Sequence, residues 1–252
     1  MARTITIATH KGGVGKTTTA IALGAALARA GHGVLIVDLD AQGHAGRGLG
    51  VEVGEEEPMI GDALRERPTP IGEVVKETAV EGLHVAPADA RLKHITAALY
   101  GRPKREEILA RALGPVLDIY DAVVIDTPPF FSPLVEMGIA AADFVVVPVQ
   151  MGARAADAVT DIADLMSVLK GEEFTGWRVL RTMIDARKTV TNEAVMIGLE
   201  PYRGKLFETW IPVSEALNQA QMAQRDIFSF DPSSTGARAY AAFARELWRR
   251  GE

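Results

Sequence analysis

Thr4-Ile5-Thr6-Ile7-Ala8-Thr9-His10-Lys11-Gly12-Gly13-Val14-Gly15-Lys16-Thr17-Thr18 decides the fold of this chain. A short β-branched run leads into glycines and then into an Ala- and Leu-rich stretch, Thr17 to Ala30. Strand, glycine-rich turn, helix is the context in which a phosphate-cradling loop works. Glycines let successive backbone N–H groups converge on one anion, and the helix start adds free N–H groups and its positive dipole end. Gly12, Gly13, Val14, Gly15, Lys16, Thr17 and Thr18 are therefore candidate nucleotide contacts. Lys16 is set to reach the β- and γ-phosphates, and the Thr17 hydroxyl to meet Mg²⁺. The pattern departs from the plain Walker A motif: His10 stands where a glycine is expected, and a second lysine, Lys11, opens the loop. Because Lys16 already serves the phosphates, Lys11 is free to point outward, toward a nucleotide held by a second copy. An ammonium there would stabilise charge as an arginine finger does and would tie dimerisation to ATP. The competing reading is a solvated lysine.

Outward from this loop, apolar runs recur. They are Val34 to Val37 running into Asp38, the weaker Gly82 to Ala86, Ala122 to Ile125, Phe144 to Val147, Val179 to Ile184 and Phe207 to Ile211. Helical stretches are expected near 103–114, 133–142, 154–169, 190–198, 214–223 and 235–250. The apolar runs do not alternate, as befits strands covered on both faces. The expected architecture is α/β: a single doubly wound domain over residues 1–252, with a mostly parallel sheet and helices on both faces. The Gly-, Pro- and Glu-rich stretch from Gly46 to Pro70 reads as an irregular surface excursion.

Two of the runs end in acids. Val34-Leu35-Ile36-Val37-Asp38-Leu39-Asp40 ends in two carboxylates, and ligands of open parallel sheets bind beyond the carboxyl ends of the strands. One of Asp38 and Asp40 would support Mg²⁺ or its waters, and the other would orient an attacking water. Val123-Val124-Ile125-Asp126-Thr127-Pro128-Pro129 has the Walker B arrangement, with Asp126 beside Mg²⁺ and a stiff turn after it. Taken alone, Asp38 and Asp40 could equally be acids in a solvated strand-end turn, and the Asp126 signal is weak by itself and strong in combination.

Composition removes several classes. The 252 residues are 48% apolar and 24% charged, with no cysteine, so disulfides, thiolate metal sites and cysteine-held clusters are out. No apolar run approaches the ~20 residues of a membrane span, and Met1 to Thr9 is no secretory signal. A formal net charge of -6 argues against a globally basic nucleic-acid surface. A cytoplasmic location is expected.

Lys11 to Thr18, then Asp38-Leu39-Asp40-Ala41-Gln42-Gly43, then Asp126-Thr127-Pro128-Pro129 resemble the deviant-Walker ATPases, and within them the ParA/Soj partition ATPases. The resemblance continues through Val146-Val147-Pro148-Val149-Gln150, Thr182 to Arg187, Ile211-Pro212 and Tyr240. It implies an ATP hydrolase with ATP and Mg²⁺ as cofactors and an ATP-dependent sandwich homodimer that binds DNA without sequence preference. It implies slow hydrolysis stimulated by a ParB-like partner, nucleoid association, and partition of a plasmid or chromosome or positioning of another cargo. By the same resemblance Lys11 is the lysine acting in trans, Asp40 activates water, Asp126 is the Walker B acid and Pro212 lies in the adenine-contacting loop. Family members often carry Ile-Pro-Arg-Asn-x-Arg, whose arginines contribute to DNA binding, where this chain has Ile211-Pro212-Val213-Ser214-Glu215-Ala216. Arg187, Lys188, Arg203 and Lys205 are the nearest alternative basic set. A second basic run, Arg91, Lys93, Arg102, Lys104, Arg105 and Arg111, reads as a solvated helix face. His44, where the family often has Asn, has no assigned role. Two alternatives stand beside this reading. One is a MinD-like membrane-surface switch, weighed against a last helix whose Tyr240, Phe243, Leu247 and Trp248 read as core-facing, so no membrane partner is expected. The other is a metabolite kinase or ligase on the same loop.

Overall fold

The computed structural model describes residues 1–249, so the end of the helix expected to reach Arg250 lies outside the described residues. Seven strands form one sheet: β1 (Arg3–Ile7), β2 (Val34–Asp38), β3 (Lys76–Glu77), β4 (Leu83–Ala86), β5 (Ala122–Asp126), β6 (Phe144–Gln150) and β7 (Trp177–Thr182), in the order β3-β4-β2-β5-β1-β6-β7. Every pairing is parallel except that of β3 with β4 at the edge. Helices α1 (Lys16–Arg29), α2 (His44–Gly48), α3 (Ile60–Ala63), α4 (Ile71–Val74), α5 (Leu92–Leu99), α6 (Ile108–Leu113), α7 (Pro133–Ala141), α8 (Ala155–Lys170), α9 (Thr189–Gly198), α10 (Glu215–Met222), α11 (Ile227–Phe230) and α12 (Thr235–Arg249) cover it.

The unbroken apolar strands are buried on both faces because successive side chains feed different cores. Ile5, Ile7, Val34, Ile36, Val124 and Val146 pack with α1, α11 and α12. Their chain neighbours Leu35, Val37, Val123 and Ile125 pack with α3 to α7, and Val145 and Val147 with α7 to α9. This period-2 division of side chains between two helical layers is what doubly wound topology requires. Pro148 sits inside β6 without breaking it. Ile7 pairs with Val146, the last β6 residue that β1 reaches, so the N–H that proline lacks would have faced a position beyond the end of β1.

Three expectations are corrected. Residues 207–211 form no strand of their own. They run beside β7 through single bonds, Phe207 N–H to the Val179 carbonyl and Ile211 N–H to the Arg181 carbonyl. Gly46 to Pro70 is not merely a surface excursion, because Met59, Ile60 and Leu64 within it are fully buried in the α3–α7 core. The helix expected over 103–114 is split into a 3₁₀ turn, Arg105–Glu107, followed by α6. The edge strand β3 and the helices α2, α3, α4, α5 and α11 have no counterpart among the expected elements.

Candidate functional site

The carboxyl ends of β1, β2 and β5 meet at one point. Ile7 lies opposite Asp126 in the register, and Asp126 lies opposite Asp38. The loop from Ala8 to Gly15 starts there and turns straight into α1. Gly15 has φ +87°, in the left-handed region, so glycine there allows the abrupt entry into the helix. The loop is pinned from the far side of the sheet: the Thr182 hydroxyl at the end of β7 donates to the Val14 carbonyl at 2.9 Å, in a buried contact. Next to it Met183 holds φ +52°, a left-handed backbone rarely taken by long side chains. On the helix side, the Thr19 hydroxyl and the buried Tyr240 hydroxyl are 2.9 Å apart, which locks α1 to α12 just below the loop.

Lys16 is buried, and its ammonium donates to the Lys11 carbonyl at 3.0 Å across the mouth of the loop. Burial lowers its pKa, while the charges of Asp126 and Asp40 oppose the shift. Lys11 is half-buried, and its ammonium has no hydrogen bond or ion pair among the described residues. Gly12 and Gly13 are exposed, and Thr17 and Thr18 are half-buried at the first turn of α1.

The acids differ in kind. Asp38 is fully buried, and its two oxygens accept from the backbone N–H groups of Asp40 at 3.0 Å, Ala45 at 2.9 Å and Gly46 at 3.4 Å. It thereby ties the loop after β2 to the start of α2. Burial raises its pKa to about 7 against those hydrogen bonds. Asp126 is equally buried, yet among the described residues neither of its oxygens has a hydrogen-bond partner of normal geometry. Its pKa is raised well above the usual carboxylate range, first by burial and then by the neighbouring Asp38 charge, with the Thr17 hydroxyl and Lys16 pulling the other way. A buried carboxylate left unpartnered is costly, and a hard divalent cation is the partner that would relieve it. Asp126 and Thr17 thus fit a Mg²⁺ ion. Asp38, expected beside it, already spends its oxygens on the loop. Asp40 is half-buried, and one of its oxygens accepts the Gln42 N–H at 2.9 Å. Gly43 closes this loop: it has φ +62°, and a side chain there would place Cβ 2.4 Å from the Ala88 carbonyl oxygen.

The segment after Asp126 reaches the same mouth. The buried Thr127 hydroxyl donates to the Ile7 carbonyl at 2.8 Å, and Phe130 and Phe131 are exposed. Phe131 stacks on His10 with ring centroids 5.0 Å apart, and His10 Nε2 lies 3.4 Å from Asp161 of α8. Pro212 lies beside the far rim, bridged to Ile184 just past β7.

The four candidate DNA-contacting residues do not form one patch. Arg187 and Lys188 follow the carboxyl end of β7, whereas Lys205 lies at its amino end, where its ammonium donates to the Thr175 carbonyl at 3.1 Å and sits 4.9 Å from the Trp177 ring centre. The six-residue strand between them spans roughly 17–20 Å. Arg187 is engaged by Asp185, whose pKa those hydrogen bonds pull down to about 2, and Arg203 is engaged by Glu200 at 3.1 Å. Lys188 is exposed. The second basic run is largely bound within the molecule. Arg91 holds Asp89 and the Glu55 and Glu57 carbonyls, Arg102 holds the Leu64 carbonyl, and Arg105 grips Glu136 with two bonds. His44 is exposed at the start of α2. In α12, Tyr240, Phe243 and Leu247 are buried, so that helix faces the core as expected.

A strand–loop–helix phosphate cradle flanked by two buried acids at the end of a parallel sheet defines the class of P-loop nucleotide-binding folds. Comparison with known proteins narrows it. The AAA_31 family, described as an AAA domain, matches residues 2–193. The chain is 36% identical over 254 residues to the sporulation initiation inhibitor protein Soj of Bacillus subtilis, covering 100% of both chains. It is 38% identical over 254 residues to the chromosome-partitioning ATPase Soj of Thermus thermophilus, covering 98% of this chain and 96% of that one. Among solved structures, the cobyrinic acid a,c-diamide synthase of Mycobacterium smegmatis with bound ADP and magnesium superimposes with a TM-score of 0.83 at 28% identity, covering 100% of this chain and 97% of that one. The chain belongs to the Soj/ParA family of partition ATPases.

Proposed function

We propose that this chain, working as one domain over residues 1–252, is a ParA-type switch: Mg-ATP assembles it into a sandwich dimer, and slow hydrolysis takes the dimer apart. The observation that carries the reading is the fully buried Asp126 carboxylate, met by no hydrogen bond of normal geometry among the described residues, beside Lys16 and Thr17 at the foot of a loop whose Lys11 ammonium has no described acid to answer it. In this reading Gly12 to Thr18 wrap the phosphates, and Lys16 gives up the Lys11 carbonyl to bind the β- and γ-oxygens. Thr17 and Asp126 would hold the Mg²⁺, which would supply charge neutralisation at the phosphates. Asp38 keeps the loop after β2 in place so that Asp40 can orient the attacking water, and Pro212 borders the adenine. Lys11 reaches the phosphates of the partner copy, where a water-excluded ammonium is worth most.

The coarser family membership supports a partition or cargo-positioning role. Within that role we infer nonspecific DNA binding by the dimer, activation by a ParB-like partner and a cytoplasmic, nucleoid-associated location. With Val213 and Ala216 where arginines are common and the basic residues around β7 split between its two ends, the DNA surface is expected to be weak in the monomer. It would be completed by pairing two chains. Among the described residues no helix is long and apolar enough to cross a membrane. The likeness to a synthase gives the metabolite-ligase alternative a specific footing, but full-length identity to Soj from two organisms weighs more heavily.

The test is DNA binding with ATP, ADP or no nucleotide across a salt series. ATP-only binding that weakens steeply with salt is expected, since each phosphate contact contributes a slope of about one unit. Absence of DNA binding in all three states, with ADP release that depends on an added metabolite, would favour the ligase. ATP-dependent sedimentation with liposomes instead of DNA would favour the MinD-like switch.

A further inference from the structure

At the opposite end of α1 from the phosphate loop, about 20 Å along the helix, lies a groove of about 410 Å³ between the ends of α1 and α12. Four alanines, Ala26, Ala30, Ala241 and Ala244, line it beside the buried Leu27. Phe228 and Trp248 form its walls, and Trp248 is braced by His32 with ring centroids 4.5 Å apart. The lining is nearly all apolar atoms, yet the charged side chains on its rim have one sign only. Arg29, Arg245 and Arg249 line it, and among the described residues no acid does, in a chain whose net charge is -6. Arg29 is spent on the buried Asp226 and on Ser229. Arg245 and Arg249 have no ion pair with any described acid, and they stand four residues apart on α12, one turn, on the same face.

We propose that this groove docks an acidic amphipathic helix of a protein partner. The occupant would lay apolar side chains between Phe228 and Trp248 and set two carboxylates, themselves one turn apart, against Arg245 and Arg249. Three features fix this choice. The four alanines in its apolar lining let a second helix come close and lay an apolar face into the groove. The large apolar side chains Phe228 and Trp248 are half-buried, whereas a bilayer engages apolar groups that protrude. The rim selects acid, and it does so in a protein that would otherwise repel acidic partners at long range. The groove is far from the loop, Asp40 and Asp126, so the partner held here is a passenger or adaptor and would dock whether or not nucleotide is bound.

The experiment pans a displayed library of random 16-residue peptides on the full chain. Peptides that also bind the Arg245→Glu/Arg249→Glu variant are removed, and the survivors are measured by fluorescence anisotropy. Both substitutions are at exposed positions, and circular dichroism melts check that the variant folds. The expected survivors carry acids four apart on one flank of an apolar face. They bind the charge-reversed variant at least about tenfold more weakly and weaken as salt rises. They lose binding to Ala241→Phe, which fills the groove, and bind Lys16→Ala as they bind the parent. That last arm keeps the inference separate from the nucleotide switch. Survivors without acids, or none that distinguish the Arg245/Arg249 pair, would overturn the proposal. So would sedimentation with phosphatidylglycerol vesicles that depends on these arginines while no peptide does. Self-association of the nucleotide-free chain that Ala241→Phe abolishes would overturn it too, by assigning the groove to a second copy.

Discussion

Replacing Asp126 with Asn should make the empty protein more stable and the nucleotide-loaded protein less so. Asp126 is fully buried without a hydrogen-bond partner of normal geometry among the described residues, and Asp38 stands opposite it in the register. Leaving a buried polar group unsatisfied costs about 1–3 kcal/mol, more for a charge. Asn keeps the shape and two polar atoms but removes the charge and its repulsion with Asp38, so a gain of about 1–2 kcal/mol is expected. For a chain of this length that is roughly 2–8 °C in Tm. The sign with pH is fixed by the direction of the shift. A carboxyl whose pKa is raised by folding holds its proton more tightly in the native state, so the penalty is absent below the unfolded value, about 3.9. It grows as pH rises toward the raised native value. The margin of Asn over Asp should therefore widen from pH 5 to pH 8. With Mg-ATP at a hundredfold excess over its Kd the parent gains about 2.7 kcal/mol, and the variant, lacking the carboxylate for the metal, should gain far less. Thermal melts of both proteins, empty and with Mg-ATP, decide it. A variant that melts below the parent when empty, or that gains as much from Mg-ATP, would refute the assignment of Asp126 as a metal ligand held in reserve.

Gly43→Ala should cost at least about 2 kcal/mol, because left-handed backbone and a 2.4 Å approach to a backbone oxygen leave the new Cβ nowhere to go; a urea titration would show it. Tyr240→Phe removes one half of a buried hydroxyl pair with Thr19 and should lower the denaturation midpoint by the equivalent of about 1 kcal/mol while leaving ATP hydrolysis in place. Lys16→Ala should abolish nucleotide binding in a fluorescent-ATP titration, with the fold intact by circular dichroism. Thr182→Val unpins the loop from β7 and should weaken nucleotide binding several-fold in the same titration. Unchanged affinity would show that the loop holds its shape alone.

The core of the fold was legible because β2, β5 and β6 are buried on both sides, and double burial leaves an unbroken apolar run that no surface element imitates; β1, with Thr4 and Thr6 inside it, was legible from the glycine-rich loop that follows. The acids at Asp38 and Asp126 could be read for the same reason: each ends such a run. What escaped was set by distant contacts. Met59 and Ile60 are a lone apolar pair, cut off from Leu64 by Gly61-Asp62-Ala63, so their burial is invisible as a period and appears only when α4 and α5 pack against them. Residues 207–211 have strand composition but only one neighbour, β7, and meet it in single bonds. The Thr182 anchor of the phosphate loop lies 168 residues from Val14, and no local pattern announces it. The different states of Asp38 and Asp126 also lay beyond the sequence. Both end buried strands, but only Asp38 is followed by a turn that brings its own chain's N–H groups back onto the carboxylate.

The claim on which the account rests is that Lys11 belongs to the neighbour's nucleotide. Light scattering of Asp40→Ala in Mg-ATP, with and without the additional change Lys11→Ala, tests it most directly, since slowed hydrolysis should trap the paired state. The expected result is twice the chain mass when Lys11 is present and a single chain, still nucleotide-bound, when it is not. Equal masses for the two proteins would contradict it.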